Sequence, residues 1–428
     1  MYEQPTFEPS NRVTRLRRLG LLLGLMPMAV LMMALSRGRN FDFDIYRNSL
    51  IGVLHGGSVY AFTVHNAVSH ADVGFIYPPF ASLVMLPLAV ASHSVGKDGL
   101  ALVTTLLVLA SMFTLIDQLY TKRAGEGKPT IGLLRAPLIT TLVAVSFPTV
   151  NNMGLGQVSF ALWALVLLDV IVLPPRWQGV LVGLAGAIKL EPMILVPYYL
   201  VTRQWRPAVN SSAVFILATA FGAALRWSDS LRYWLHPSVI TRSLGTLTWA
   251  DNWSMYAALS RLGITGTPLK LSWIVLSGLA LLAALWRARS HFRAGERVEA
   301  VVVMGMSATL ITVVTWANHL FFLLIAIVLL AWRRPLMGFP LLVLAVPFLP
   351  ESAVDNAAPV LIIILVIFGL PRGRARPGTP LPADRSAHLA ASETPARRGE
   401  RGRGPEFSTV AADVSAPGVG WVNSCPDG

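Results

Sequence analysis

Apolar runs long enough to cross a bilayer recur along most of this 428-residue chain, separated by short clusters of Lys and Arg. A segment crossing hydrocarbon must satisfy its own backbone, so such runs fold as helices. Charged residues make up only 13% of the chain, against roughly 25% in a soluble globular domain. That deficit excludes an ordinary water-soluble enzyme and a disordered chain alike. The chain reads as an all-α polytopic membrane protein.

The formal net charge of +13 sits between the apolar runs, where it reads as membrane anchoring rather than as a nucleic-acid stripe. Cys425 stands alone, which allows no internal disulfide and no cysteine-built metal site. Arg12, Arg15, Arg17 and Arg18 precede the apolar run 19–35, and no A-x-A-like site follows it. The pattern predicts a cytoplasmic basic segment, residues 1–18, and then a first membrane helix rather than a cleaved leader.

The Lys/Arg bias sets the remaining topology. Residues 36–99 fall on the outer face, and the proline-interrupted stretch 77–94 lies on or dips into the outer leaflet. Residues 100–120 return inward to Lys122, Arg123, Lys128 and Arg135. Residues 136–150 go out, 151–157 turn, and 158–172 come back to Pro174-Pro175-Arg176. The run 179–201 starts after Arg176 and ends before Arg203 and Arg206, so both its ends lie inside and it must be a hairpin. Its tip falls at Lys189-Leu190-Glu191-Pro192, with Pro192 opening the returning helix. Runs 207–225, 268–286, 301–316, 319–332, 335–349 and 358–370 alternate from there, around an outer loop 226–267 and the inner basic residues 287–297 and Arg333-Arg334. With the hairpin counted as two, the expectation is about 12 transmembrane helices in a domain 19–370, both termini cytoplasmic. Residues 371–428, rich in Gly, Pro, Ala and Arg, read as a disordered tail held near anionic lipid. No inverted repeat of the transporter kind is visible.

This topology gathers Asp42, Asp44, Asp72, Asn151, Asn152, Gln157, Lys189, Glu191, Arg261, Asp251, Asn252, Asn318 and His319 at or near the outer face. A charge at a helix centre costs about 2.5–3.5 kcal/mol, so polar groups at membrane depth tend to be functional. Asn40-Phe-Asp-Phe-Asp-Ile-Tyr46 follows the first helix. It reads as a solvated helix end, or as a carboxylate base able to take a proton from a hydroxyl. Its Asp-x-Asp spacing is a weak metal signal. Lys189 is either a snorkelling lysine or a point charge for a phosphate. His319, after Trp316, is a belt residue or a phosphate contact. Tyr77-Pro-Pro-Phe80 is a rigid aromatic turn that lines a lipid or sugar groove or anchors at the interface. Gly154-Leu-Gly156-Gln157 lacks the βαβ setting of a dinucleotide site, and neither H-E-x-x-H nor G-x-S-x-G occurs.

Taken in order, Asp42-Phe-Asp-Ile-Tyr46, Tyr77-Pro-Pro-Phe80, Asn152 through Gln157-Val158, Ala187-Ile-Lys189-Leu-Glu-Pro192, Asn252-Trp-Ser254 with Arg261, and Trp316-Ala-Asn-His319 resemble glycosyltransferase family 87. The resemblance spans about residues 10–370. It implies a GT-C membrane fold with an outer-face juxtamembrane active-site loop. It also implies transfer of mannose from polyprenyl-phosphate mannose to a phosphatidylinositol mannoside or lipomannan acceptor. The Asp opening the family's Asp-x-x-hydrophobic-Tyr motif is its base, here Asp42, with Asp44 an ambiguous neighbour. The resemblance places Lys189, His319 and Arg261 at the donor phosphate and has Tyr46, Tyr77, Asn152, Gln157, Glu191, Asn252 and Trp316 line the cavity. Where the family often shows His-His, this chain has Asn318-His319. The implied mechanism is direct displacement with inversion, giving an α-1,2 linkage, with no obligatory cofactor and a divalent metal not required. The enzyme would sit in the plasma membrane with its site facing outward.

Three other readings fit the same residues. A transferase of polyprenyl-phosphate arabinose remains open, because no residue reads the sugar. A lipid-linked-sugar flippase or transporter needs polar residues and broken helices at mid-depth; here the polar residues gather at one face, while the proline-broken hairpin keeps that reading open. A non-catalytic lipid-binding scaffold would tolerate Asp42→Asn.

Overall fold

The computed structural model describes residues 11–66, 71–125, 132–236, 247, 252–345, 361–366 and 370. The tail 371–428, Asp251 and residues 358–360 and 367–369 of the run 358–370 lie outside the described residues; within that last run, residues 361–366 are helical. The chain opens with α1 (Asn11–Leu35), α2 (Phe41–Leu54) and a two-stranded antiparallel ribbon of β1 (Thr63–Asn66) and β2 (Ala71–Gly74), Thr63 facing Gly74. Next come two short helices, α3 (Pro79–Met85) and α4 (Pro87–Val90), and the long α5 (His93–Gly125). Pro79 and Pro87 each open a helix at its first turn, where a missing N–H costs nothing. The stretch 77–94 is therefore two short helices and not a span.

Then follow α6 (Gly132–Ala144), α7 (Phe147–Leu155), α8 (Ser159–Val172), α9 (Val180–Ile188), the 3-10 turn Glu191–Ile194, α10 (Leu195–Val201), α11 (Trp205–Leu225) and α12 (Trp227–Leu235). The described core closes with α13 (Met255–Arg261), α14 (Gly266–Arg293), α15 (Arg297–Ile311), the 3-10 turn Ala317–His319, α16 (Phe321–Arg333) and α17 (Pro335–Leu344).

Twelve crossings are not found among the described residues. Four helices are long and apolar enough to cross a membrane, namely Arg18–Leu35, His93–Lys122, Trp205–Leu225 and Gly266–Arg293. A fifth arises if Arg135–Ala144 and Phe147–Leu155, bent by 51°, form one broken span. These proportions are those of a multi-pass membrane protein. On α1, α11 and α14 large apolar side chains face outward, including Leu23, Val30, Leu217, Phe221, Leu279 and Leu282, and hydrocarbon suits such faces. In contrast, α15 is buried from Glu299 to Leu310 and α16 from Phe321 to Trp332. Both are enclosed by other helices and need not match bilayer thickness.

The run 179–201 is a hairpin, but its arms are too short to be spans. Gly179 packs on Pro207, Gly183 on Ser211, and Gly186 on both Met193 and Phe215. The first arm thus runs alongside the start of α11 and folds back on itself. Its nine residues rise about 14 Å, under half of a hydrocarbon core of about 30 Å. The element is a short hairpin, and Lys189 stands at its turning point.

Asp169, fully buried on α8, fixes the hairpin's base by accepting from the Gly179 N–H at 2.7 Å and the Leu181 N–H at 2.9 Å. Those donors are the orphan amides of α9, so a carboxylate from another helix caps it. Asp169→Ala should therefore cost about 3 kcal/mol, with Asp169→Asn intermediate, read as the thermal unfolding midpoint of the purified protein. Melting of the Ala variant at the wild-type temperature would remove this cap from the account. The other arm is tied down where Arg289 donates to the Val201 carbonyl. Nearby, buried Glu296 and Glu299 pair with Arg333, and His291 pairs with Glu296.

Candidate active site

Two residues with unusual backbone geometry place Asp42. Asn40 adopts the left-handed conformation, φ 50°, at the junction of α1 and α2, and its N–H bonds the Gly154 carbonyl at 2.8 Å. Asparagine is among the few side-chain-bearing residues that tolerate this conformation. Gly156 ends α7 at φ +71°, and a methyl there would come within 2.6 Å of the Phe43 Cβ. The first turn of α2 thus docks on the α7–α8 turn, and Gln157 Nε2 donates to Asp42 Oδ2 at 2.8 Å.

Gln157 is itself held from its other end. Its Oε1 lies 2.9 Å from the Tyr46 hydroxyl and 3.2 Å from that of Tyr77, and the two hydroxyls are 2.9 Å apart. Three oxygens share two hydrogens, so the amide oxygen faces the tyrosines and the amide nitrogen faces the carboxylate. Asn152 pins this turn: its Nδ2 donates to the Gln157 carbonyl, and its Oδ1 accepts from the Phe160 N–H, each at 3.2 Å. Burial raises the Asp42 pKa to about 6, against the Gln157 hydrogen bond and the charge of Lys189, which lower it. Burial also raises Tyr46 and Tyr77 well above the usual phenol range.

Asp44 sits two residues on, about 200° around the helix. Its carboxylate bonds His93 at 2.7 Å on the exposed side of α2. The Asp-x-Asp pair therefore diverges and does not share one ion, and Asp44 is set apart from the Asp42 cluster. Asp72, paired with His65 at 3.1 Å on the exposed ribbon, also lies elsewhere.

A second cluster meets the first through Tyr77, whose ring lies 5.8 Å from Lys189 Nζ. The ammonium donates to Ser159 Oγ at 3.0 Å, contacts His319 Nε2 at 2.8 Å and pairs with Glu191 at 3.3 Å. With Nε2 accepting, the ring proton sits on Nδ1 and goes to the Val314 carbonyl. The 3.3 Å approach of the Trp316 N–H to that same Nδ1 is then a meeting of two donors. The Trp316 ring lies 6.0 Å from the His319 ring. Asn318, the position in doubt from sequence, donates to Ser159 Oγ at 3.2 Å. Ser159, absent from the candidates chosen on sequence, is fully buried between the hairpin tip and the 317–319 turn; its adjacency to Gln157 was the available signal.

Asn252 and Arg261 act one step back. The extended segment 312–316 is unwound backbone inside the protein, which requires internal partners. Asn252 supplies them, its Nδ2 reaching the Val313 carbonyl at 3.0 Å and its Oδ1 the Thr315 N–H at 2.9 Å. Arg261 donates to the Asn252 carbonyl at 2.9 Å. The site thus joins a carboxylate of raised pKa to a buried cation, across a ring of tyrosine and glutamine.

Among curated proteins, the chain is 29% identical to a polyprenol-phosphate-mannose-dependent alpha-(1-2)-phosphatidylinositol mannoside mannosyltransferase of Mycobacterium tuberculosis, over 71% of this chain and 74% of that protein. The protein of the same description from Mycolicibacterium smegmatis is also 29% identical, over 71% of this chain and 73% of its own length. A Mycobacterium tuberculosis pentamannoside mannosyltransferase of the same donor dependence is 28% identical. The family model of glycosyltransferase family 87 matches residues 75–315, a stretch that holds Tyr77, Gln157, Ser159, Lys189 and Glu191, and on a match over more than half its length the chain belongs to glycosyltransferase family 87.

Proposed function

We propose that this membrane glycosyltransferase moves mannose from a polyprenyl-phosphate donor to a hydroxyl of a phosphatidylinositol mannoside or lipomannan acceptor, forming an α-1,2 linkage. The observation that carries the reading is the juxtaposition of Asp42 with Lys189: a base beside a buried cation, bridged by Tyr77 and Gln157. The relatives' donor and acceptor agree with that chemistry.

The acceptor oxygen attacks the anomeric carbon as the bond from that carbon to the phosphate oxygen breaks. The electron pair leaves with the phosphate, and the acceptor's proton passes to Asp42. A β-linked donor then yields an α product by inversion. Charge grows on the leaving phosphate, where Lys189 and the Ser159 hydroxyl stand to stabilise it. No general acid is needed, because a phosphate leaves as a stable anion. A monophosphate-linked sugar carries a single charge, and the mechanism runs on this chain's own residues without a resident metal. The clusters Arg12 to Arg18 at the start of α1, Arg287 to Arg297 and Arg333-Arg334 support a reading in which both termini and those helix ends lie on the cytoplasmic side of the plasma membrane. The Asp42–Lys189 site then opens outward, where a lipid must deliver the activated sugar.

The test is transfer from synthetic polyprenyl-phosphate mannose to a phosphatidylinositol mannoside by the purified protein in liposomes, with the linkage read by NMR. Transfer from the arabinose donor instead would reassign the sugar, and lipid translocation without transfer would overturn the reading. Because Asp42 acts ionised and burial raises its pKa to about 6, kcat/KM should fall as pH drops through 6 and level off above it. A rate unchanged between pH 5 and 7 would rule out this carboxylate as the base.

A further inference from the structure

A lysine ammonium has three N–H bonds, and in this site each has a partner. Two partners are neutral: Ser159 Oγ at 3.0 Å and the lone pair of His319 Nε2 at 2.8 Å. The third is a Glu191 carboxylate oxygen at 3.3 Å. Glu191 opens the 3-10 turn just past the hairpin tip, with Pro192 behind it. The side chains of Lys189 and Glu191 are only 10% and 12% exposed, so water screens the pair little. The neutral pair aims the ammonium, and the carboxylate occupies the position that any incoming anion needs.

We propose that Glu191 is a built-in competitor for the lipid phosphate, holding Lys189 before the donor binds, yielding to the donor, and retaking Lys189 to expel the polyprenyl phosphate left after transfer. This rests on the reading of Lys189 as the cation for the donor phosphate. The two phosphates differ in charge. The donor is a phosphodiester with one negative charge, whereas the product is a monoester carrying about −1.5 to −2 at neutral pH. A carboxylate kept beside the cradle therefore opposes the product more than the donor. The step changes no covalent bond: one anion replaces another on the same ammonium. Glu191 is a positioning residue that acts through Lys189.

The experiment compares full-length wild type, Glu191→Gln and Glu191→Asp in liposomes, using polyprenyl-phosphate mannose as donor and polyprenyl phosphate as added inhibitor. Glu191→Gln should lower the inhibition constant of polyprenyl phosphate on the order of tenfold, the scale of one charge-assisted contact. The donor KM should fall less, and steady-state kcat should drop more than the single-turnover rate, because release has slowed. Glu191→Asp, which keeps the charge, should hold the wild-type inhibition constant within about threefold. A merely structural role would instead raise KM and slow the single turnover in both variants. An inhibition constant that is unchanged or raised in Glu191→Gln overturns the proposal. Should wild type transfer no mannose, the functional reading falls. Binding of polyprenyl phosphate, followed by tryptophan fluorescence, then still decides this inference, since only tighter binding by Glu191→Gln supports it.

Discussion

Asp42→Asn is expected to reduce mannosyl transfer by about 10²–10⁴-fold, the range that a positioned general base supplies, while the protein still folds and binds donor lipid. The amide is nearly the size of the carboxylate and can still accept from Gln157, whose hold on Tyr46 and Tyr77 is unaltered. What disappears is the capacity to take the acceptor's proton. Asp44→Asn is the matched control. It removes one exposed contact with His93, a surface pairing worth about 1 kcal/mol at most, and should leave transfer within a factor of about two. Equal transfer by wild type and Asp42→Asn, in protein with a normal melting curve, would remove Asp42 from the mechanism. Loss in Asp44→Asn but not in Asp42→Asn would exchange the two roles, and the His93 pair would then become part of the site.

That contrast marks where the sequence stops being informative. Asp42 and Asp44 cannot be ranked from spacing while their segment is read as a loop. Once residues 41–54 form a helix, two positions on opposite faces separate at once. The short apolar stretches of α2 carry no strong period, and the helix forms because Asn40 and Gly156 let its first turn dock on the α7–α8 turn. By contrast, the hairpin was legible from charge alone. Arg176 on one side and Arg203 with Arg206 on the other force both ends to one face, and the packing of Gly179 on Pro207 matches. Its depth was not legible, since an apolar run of 23 residues reads the same whether it spans twice thinly or turns halfway. The count of twelve spans is not confirmed among the described residues for the same reason. Hydropathy cannot distinguish a lipid-facing helix such as α11 from a protein-enclosed one such as α16. Lys189 and His319 stood out as polar residues in apolar runs, whereas Ser159, a small hydroxyl at the start of a helix, looks like any helix end.

Lys189→Met should produce the other large effect, and it should act on two observables. Transfer should fall by about 10²–10³-fold, the usual result of deleting one preorganised group that meets developing charge. Stability should fall as well, because Glu191 is left as an unpaired charge in a site where only 12% of its side chain is exposed; breaking a buried pair in this way costs about 3–5 kcal/mol. The double variant Lys189→Met/Glu191→Gln separates the two effects. With no charge left to strand, its unfolding midpoint should return most of the way to wild type, while transfer stays lost. Lys189→Arg should not restore it, since a planar guanidinium cannot direct its donors at Ser159, His319 and Glu191 from one point as an ammonium does. Substantial transfer by the double variant would mean that the phosphate is held by groups other than Lys189. Full stability of the single variant would mean that Glu191 is not held by Lys189 in the membrane-embedded protein.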